Sequence, residues 1–140
     1  MLFRSDEGYR LLSYLNPAGR CTDAGLAQAF KTEPYYMPAD IYTHRDCYGH
    51  GGWSIYTGAA GWYYRAVVET LLGIRFCGDH LEVFPRLPEG WTRFSAQVRR
   101  SGYEIELEVM KTGVESISVD GTPAGKIPLD GKNHNVLLTF

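Results

Sequence analysis

The alternation of apolar and polar positions divides the chain near Gly73. Before it, apolar residues recur at helical spacing between irregular stretches; after it, they alternate one by one. Ser5, followed by Asp6 and Glu7, reads as a helix start with acidic side chains at the positive end of the dipole. Tyr9, Leu11, Leu12 and Leu15 supply an apolar face, and Asn16-Pro17 ends it. Asp23 predicts the cap of a second short helix reaching Phe30, with Gly25 as its weak point. A third helix is predicted over 58–72, where Arg65, Glu69 and Thr70 are the conspicuous polar positions among Ala59, Ala60, Trp62, Tyr63, Ala66, Val67, Leu71 and Leu72. A helix apolar nearly all round needs partners on every side, and two short helices do not supply them. Gly73 stands where a left-handed C-cap belongs.

Past Gly73 the period is two. His80–Phe84 and Phe94–Val98 alternate, and Tyr103, Ile105, Leu107 and Val109 face away from Glu104, Glu106 and Glu108. The three Glu read as a solvent-facing surface, not a metal site. Ile117 and Val119 continue the scheme, Asp120-Gly121 is a hairpin signal, and Asp130-Gly131 turns the chain into Val136–Phe140. The expected fold class is α+β: a helical segment over 1–73 with a long aromatic loop, then an antiparallel β-sandwich over 74–140.

That loop, 31–53, is rich in Pro, Gly and Tyr and shows little periodicity. Its ring content argues for order and its length for function. The whole chain has ten Tyr and three Trp, an aromatic content of 14%. Such rings stack on sugars but also fill cores. A net charge of −2 gives no electrostatic reason to expect nucleic acid. Cys21, Cys47 and Cys77 form no CxxC pair, which fits a reducing compartment and a cytoplasmic location. No apolar run approaches the ~20 residues of a membrane helix.

Three places could carry chemistry. Glu33-Pro34-Tyr35 opens the loop with a carboxylate and rings able to meet sugar hydroxyls; a structural Glu held by backbone amides is the equal alternative. Asp40, His44, Asp46 and His50 have a metal-like composition but no recognised ligand spacing, and read as polar loop residues around a cleft. No acid and base pair for hydrolysis of a glycosidic bond is identifiable. Gly51-Gly52-Trp53-Ser54-Ile55-Tyr56-Thr57-Gly58 places small residues and a hydroxyl at a helix start, where free N–H groups and the dipole suit an anion such as phosphate. Thr57 and the Gly58 amide would be its donors; an ordinary threonine cap is the alternative.

Glu33-Pro-Tyr35, Gly51-Gly-Trp53, Tyr56-Thr-Gly58, Ala60-Gly-Trp62 and Tyr64-Arg65-Ala66, continuing into Leu72-Gly-Ile74 and the turn from Pro85 to Trp91, occur in an order that resembles the C-terminal part of glycoside hydrolase family 94. The resemblance spans about Tyr9 to Val109. Glu33 through Asp40 and Ile41-Tyr42 are closer to its cyclic β-1,2-glucan synthase and β-1,2-oligoglucan phosphorylase branch. Shortly after the Glu33-Pro-Tyr35 segment cellobiose-type members tend to carry Gln, where this chain has Ala39 or a neighbour, which points away from cellobiose.

The resemblance implies an (α/α)₆ barrel followed by a β-sandwich, of which this chain holds the last helices and the sandwich. It implies inverting phosphorolysis of a β-glucan, with inorganic phosphate as co-substrate and no other cofactor. The general-acid Asp is expected upstream, leaving no catalytic residue here and a chain inactive alone. Thr57 and Gly58 are then the expected phosphate ligands, and Glu33, Tyr35 and Trp53 the expected sugar contacts. The rest of the parent enzyme would cover the third helix, or a homodimer would. Membership of a glucan synthase would place the chain on the cytoplasmic side of the inner membrane. The alternatives are a free-standing carbohydrate-binding β-module and a non-catalytic structural remnant.

Overall fold

Helical periodicity and strict alternation both become structure in the computed structural model, which describes residues 5–140. The first four residues of the segment expected over 1–73 lie outside the described residues. The chain is α+β and divides into two compact units, Met1–Leu71 and Leu72–Phe140.

In the first unit, α1 (Ser5–Leu15) stops before Asn16, whose side-chain oxygen accepts from the Ala18 amide. After a 3₁₀ turn comes α2 (Ala24–Phe30), capped by Asp23, whose carboxylate accepts from the amides of Gly25 and Leu26 at 2.8 and 3.0 Å. Two orphan donors of the first turn are thereby satisfied. Lys31, left-handed at φ 56°, closes the helix by donating its N–H to the Ala27 carbonyl. The two short strands β1 (Asp40–Ile41) and β2 (Gly51–Gly52) pair antiparallel.

The third helix, α3 (Thr57–Arg65), does not run on as an α-helix to Leu72; Ala66–Leu71 widen into a π-helix. Val67, Val68 and Thr70 in this stretch are β-branched and weaken its preference for the α-helix. The Tyr63 hydroxyl donates to the Leu12 carbonyl at 3.2 Å, tying α3 to α1, and burial pushes its phenol above the ordinary value.

The second unit contains two sheets. One is antiparallel, with β4 (His80–Val83) between β3 (Ile74–Cys77) and β9 (Ile127–Pro128). The other comprises β5 (Arg93–Arg100), β6 (Tyr103–Met110), β7 (Ser116–Val119), β8 (Thr122–Pro123) and β10 (His134–Thr139), in the order β5-β6-β10-β7-β8. The expectation of an antiparallel sandwich needs correction here. β10 runs parallel to β6, from His134 opposite Ile105 to Thr139 opposite Met110, while pairing antiparallel with β7. The last strand fills the gap left between β6 and β7, and an alternating pattern carries no information on that insertion.

Ile105, Leu107 and Val109 are at most 1% exposed and join Leu81, Val83, Leu87, Ile127, Val136 and Leu138 as the core of this unit. Burial of each such side chain contributes roughly 1.5–3 kcal/mol. Glu106 and Glu108 lie exposed on the other face of β6, whereas Glu104 is half-buried and bonded to Arg99 and Gln97. Gly73, at φ 73°, precedes β3; a Cβ there would run into the carbonyl of Phe84, whose N–H donates to the Gly73 carbonyl at 3.0 Å.

Asp120 and Gly121 both take positive φ, as a type I′ hairpin requires. The same hairpin is clasped to the start of β10. His134 Nδ1 lies 2.7 Å from Asp120 and Nε2 lies 3.0 Å from Asp130, with the imidazole side chain only 10% exposed. Only the imidazolium can donate from both nitrogens. The two carboxylates hold the His134 pKa above 6.5, and their hydrogen bonds hold both Asp below the ordinary carboxylate value.

Two outcomes are expected. Ile105→Ala costs about 2–5 kcal/mol, read as a lower urea midpoint by circular dichroism, because it leaves a cavity on the most buried strand. The clasp stabilises most between the ordinary values of Asp and His. Its contribution is complete below the unfolded histidine value and is lost as pH rises through the raised folded one. On the acid side it is lost as the two Asp protonate. The urea midpoint therefore falls from pH 6 to pH 9, and His134→Gln flattens that slope.

Candidate functional site

The stretch 31–53 carries few apolar repeats because its order comes from backbone pairing and from glycines. Phe30, fully buried, ends α2. A Cβ on Gly51 would come within 2.8 Å of both the Phe30 ring and the Thr32 hydroxyl, so β2 reaches this core only as bare backbone. Gly52 is equally constrained on its other side: a Cβ there would collide with the Asp40 carboxylate and approach the Tyr42 hydroxyl to 2.9 Å.

Backbone bonds then stitch the two arms together. Tyr42 N–H donates to the His50 carbonyl (2.9 Å), Gly49 N–H to that of Tyr42 (2.8 Å), Ala39 N–H to those of Gly52 and Trp53 (3.0 and 3.1 Å), and Tyr56 N–H to that of Met37 (3.0 Å). The last bond delivers the chain to the start of α3. Between β2 and α3 the backbone is strained: Trp53 and Ile55 sit at φ 43° and 64°. Left-handed geometry at a β-branched residue such as Ile55 is costly, and such outliers gather where function constrains the chain.

Thr57 is the first residue of α3, and Tyr56 occupies the cap position without a side-chain hydrogen bond. The threonine therefore does not act as an ordinary N-cap. Ala60 N–H donates to the Tyr56 carbonyl, and the amides ahead of it face outward at the positive end of the helix. Thr57 and Gly58 are both exposed. A tetrahedral oxyanion could take hydrogen bonds from this end while the Thr57 hydroxyl supplies a further donor.

The expected sugar contacts are displayed at the surface of the same unit. Glu33 is exposed, and its carbonyl accepts from the Tyr36 amide in a tight turn. Tyr35, 74% exposed, meets Tyr36 edge-on at 4.8 Å. Trp53, 78% exposed, lies 6.4 Å from the Tyr56 ring. The bonds from Met37 to Tyr56 and from Ala39 to Trp53 tie the segment after Tyr35 to the one carrying Trp53 and Thr57.

Of the four residues with metal-like composition, His44 and Asp46 come together at 3.6 Å in an exposed turn, while His50 stacks edge-on against Tyr42. Among the described residues no group of three or more His, Cys, Asp and Glu could hold a metal ion, and no helix is long and apolar enough to cross a membrane. The placement of Asp40 over Gly52 escaped the reading of the sequence. Its signal was the Gly51-Gly52 pair itself, since adjacent glycines outside a turn mark a close backbone approach.

The catalytic domain of the glycosyl hydrolase 94 superfamily matches residues 1–73, and the C-terminal domain of glycosyl hydrolase family 65 matches residues 74–136. The cyclic beta-(1,2)-glucan synthase NdvB of Rhizobium meliloti (strain 1021) is 41% identical over 122 residues, 85% of this chain and 4% of that protein. The N,N'-diacetylchitobiose phosphorylase of Vibrio proteolyticus is 30% identical over 149 residues, 99% of this chain and 18% of its own length. The 1,2-beta-oligoglucan phosphorylase of Listeria innocua serovar 6a is 32% identical over 71 residues, 51% of this chain and 6% of that protein. The chain thus spans less than a fifth of each of these relatives. With over half its residues matched by the family's catalytic-domain model, the chain belongs to the glycosyl hydrolase 94 superfamily.

Proposed function

We propose that this chain serves as the C-terminal part of an enzyme that processes a β-glucan with inorganic phosphate. The observation that carries the reading is the start of α3, uncapped by any side chain and presenting Thr57 and Gly58 outward. The names of the relatives, a glucan synthase and two phosphorylases, supply the chemistry. In that reaction a phosphate oxygen bonds to the anomeric carbon as the glycosidic C–O bond breaks. The leaving oxygen takes a proton from a carboxylic acid, which we assign to an Asp upstream of the segment matched here. Thr57 and the Gly58 amide hold the phosphate; Glu33, Tyr35 and Trp53 line the glucan site.

We also assign α1 to α3 to the closing helices of an (α/α)₆ barrel. In support, the first unit exposes Leu11, Leu26, Ile55, Tyr56, Trp62 and Tyr64, a surface that calls for further helices. The three unpaired cysteines favour a cytoplasmic setting.

The test is Thr57→Val in the full-length enzyme that carries this segment. Loss of one hydrogen bond to an anion raises KM for phosphate about 10-fold or more, while KM for glucan stays within about twofold. Equal losses for both substrates in initial-rate assays would remove the phosphate assignment.

A further inference from the structure

The Asp40 carboxylate lies over the backbone of Gly52, its partner on the neighbouring strand. β1 pairs Asp40 with Gly52, and the missing side chain of Gly52 lets the carboxylate lean across the partner strand. The Tyr42 hydroxyl comes over the same glycine, its ring braced edge-on by His50 at 5.5 Å. Among the described residues neither the Asp40 carboxylate nor the Tyr42 hydroxyl takes part in a hydrogen bond or ion pair, and both residues are exposed. Both groups keep their hydrogen-bonding capacity open on the solvent side, where a ligand can reach them. Here an acceptor and a phenol, which both donates and accepts, converge on a patch of bare backbone.

We infer that Asp40 and Tyr42 over Gly52 form a hydroxyl-binding platform for an uncharged glycosyl residue, making Asp40 a specificity-determining residue of the glucan site. The inference rests on the phosphorolytic reading given under Proposed function. The chemistry selects the ligand. An ionised carboxylate accepts two hydrogen bonds from neighbouring hydroxyls of one sugar ring, and it repels phosphate and acidic sugars. Gly52 is needed because any side chain there would fill the space the carboxylate occupies. The backbone bonds from Ala39 to Gly52 and Trp53, and from Met37 to Tyr56, fix this platform to the segment that carries Thr57.

The experiment is a two-substrate kinetic analysis of the full-length enzyme with Asp40→Asn, Tyr42→Phe and Gly52→Ala, alongside thermal melts. Asp40→Asn keeps shape and loses charge. It is expected to raise KM for glucan about 10- to 100-fold, the worth of one or two charge-assisted hydrogen bonds, with KM for phosphate within about twofold. Tyr42→Phe gives a smaller rise in the same parameter. Gly52→Ala reproduces the Asp40→Asn defect by displacing the carboxylate. An active parent enzyme whose Asp40→Asn and Tyr42→Phe forms melt normally and keep KM for glucan within about twofold would overturn the platform alone. So would a rise in KM for phosphate that matches the rise for glucan. A parent enzyme with no phosphate-dependent turnover would instead overturn the phosphorolytic reading, and the platform with it.

Discussion

The first unit depends on a single steric constraint, the contact of Gly51 and Gly52 with what lies on either side of them. Gly51 lets β2 press against Phe30 and Thr32; Gly52 lets Asp40 and Tyr42 fold across it. The backbone bonds between the two arms of the 31–53 stretch then bring the chain into α3 from the Met37 side. A methyl group at Gly52 meets the ends of the Asp40 and Tyr42 side chains, and one at Gly51 meets the Phe30 ring and the Thr32 hydroxyl, an overpacking cost of about 1–3 kcal/mol relieved by displacing those side chains. The positive φ angles at Trp53 and Ile55 lie in the four residues over which the chain turns from this pair of glycines into a helix.

The two units contrast in how they are held together. The second closes a core of strand residues almost free of exposure, and its hairpin is clasped by His134 between two carboxylates. In the first, Phe30 is fully buried, while rings and aliphatic side chains along α1, α3 and the loop face outward. Hydrophobic burial, the dominant favourable term in folding, is therefore unevenly distributed. A surface of this kind on a helix as apolar as α3 supports the proposal that further helices pack against it.

Much of this was legible in the residues. The Asp23 cap, the end of α1 at Asn16-Pro17, the alternation of Tyr103–Val109 and the Asp120-Gly121 hairpin are local properties, set by side-chain chemistry within a few positions. The order of motifs from Glu33 to Trp62 likewise pointed to the family. What stayed hidden was non-local. That β10 enters between β6 and β7 depends on pairings 17 to 29 residues apart, which alternation does not encode. The π-helix after Arg65 shares its apolar pattern with an α-helix, so the residues alone do not tell the two apart. Asp40 read as one more polar loop residue because the glycine that receives it lies twelve positions away.

Gly73 has a further meaning for anyone who would move the strand-rich half onto another scaffold. Residue 73 ends the match to one family's model and residue 74 begins the match to another's, which invites a cut between them. Yet the carbonyl of Gly73 accepts the Phe84 amide, and its α-carbon abuts the backbone of that same residue. The glycine is the first tooth of the β3–β4 zipper, and a transplanted module would have to bring it along.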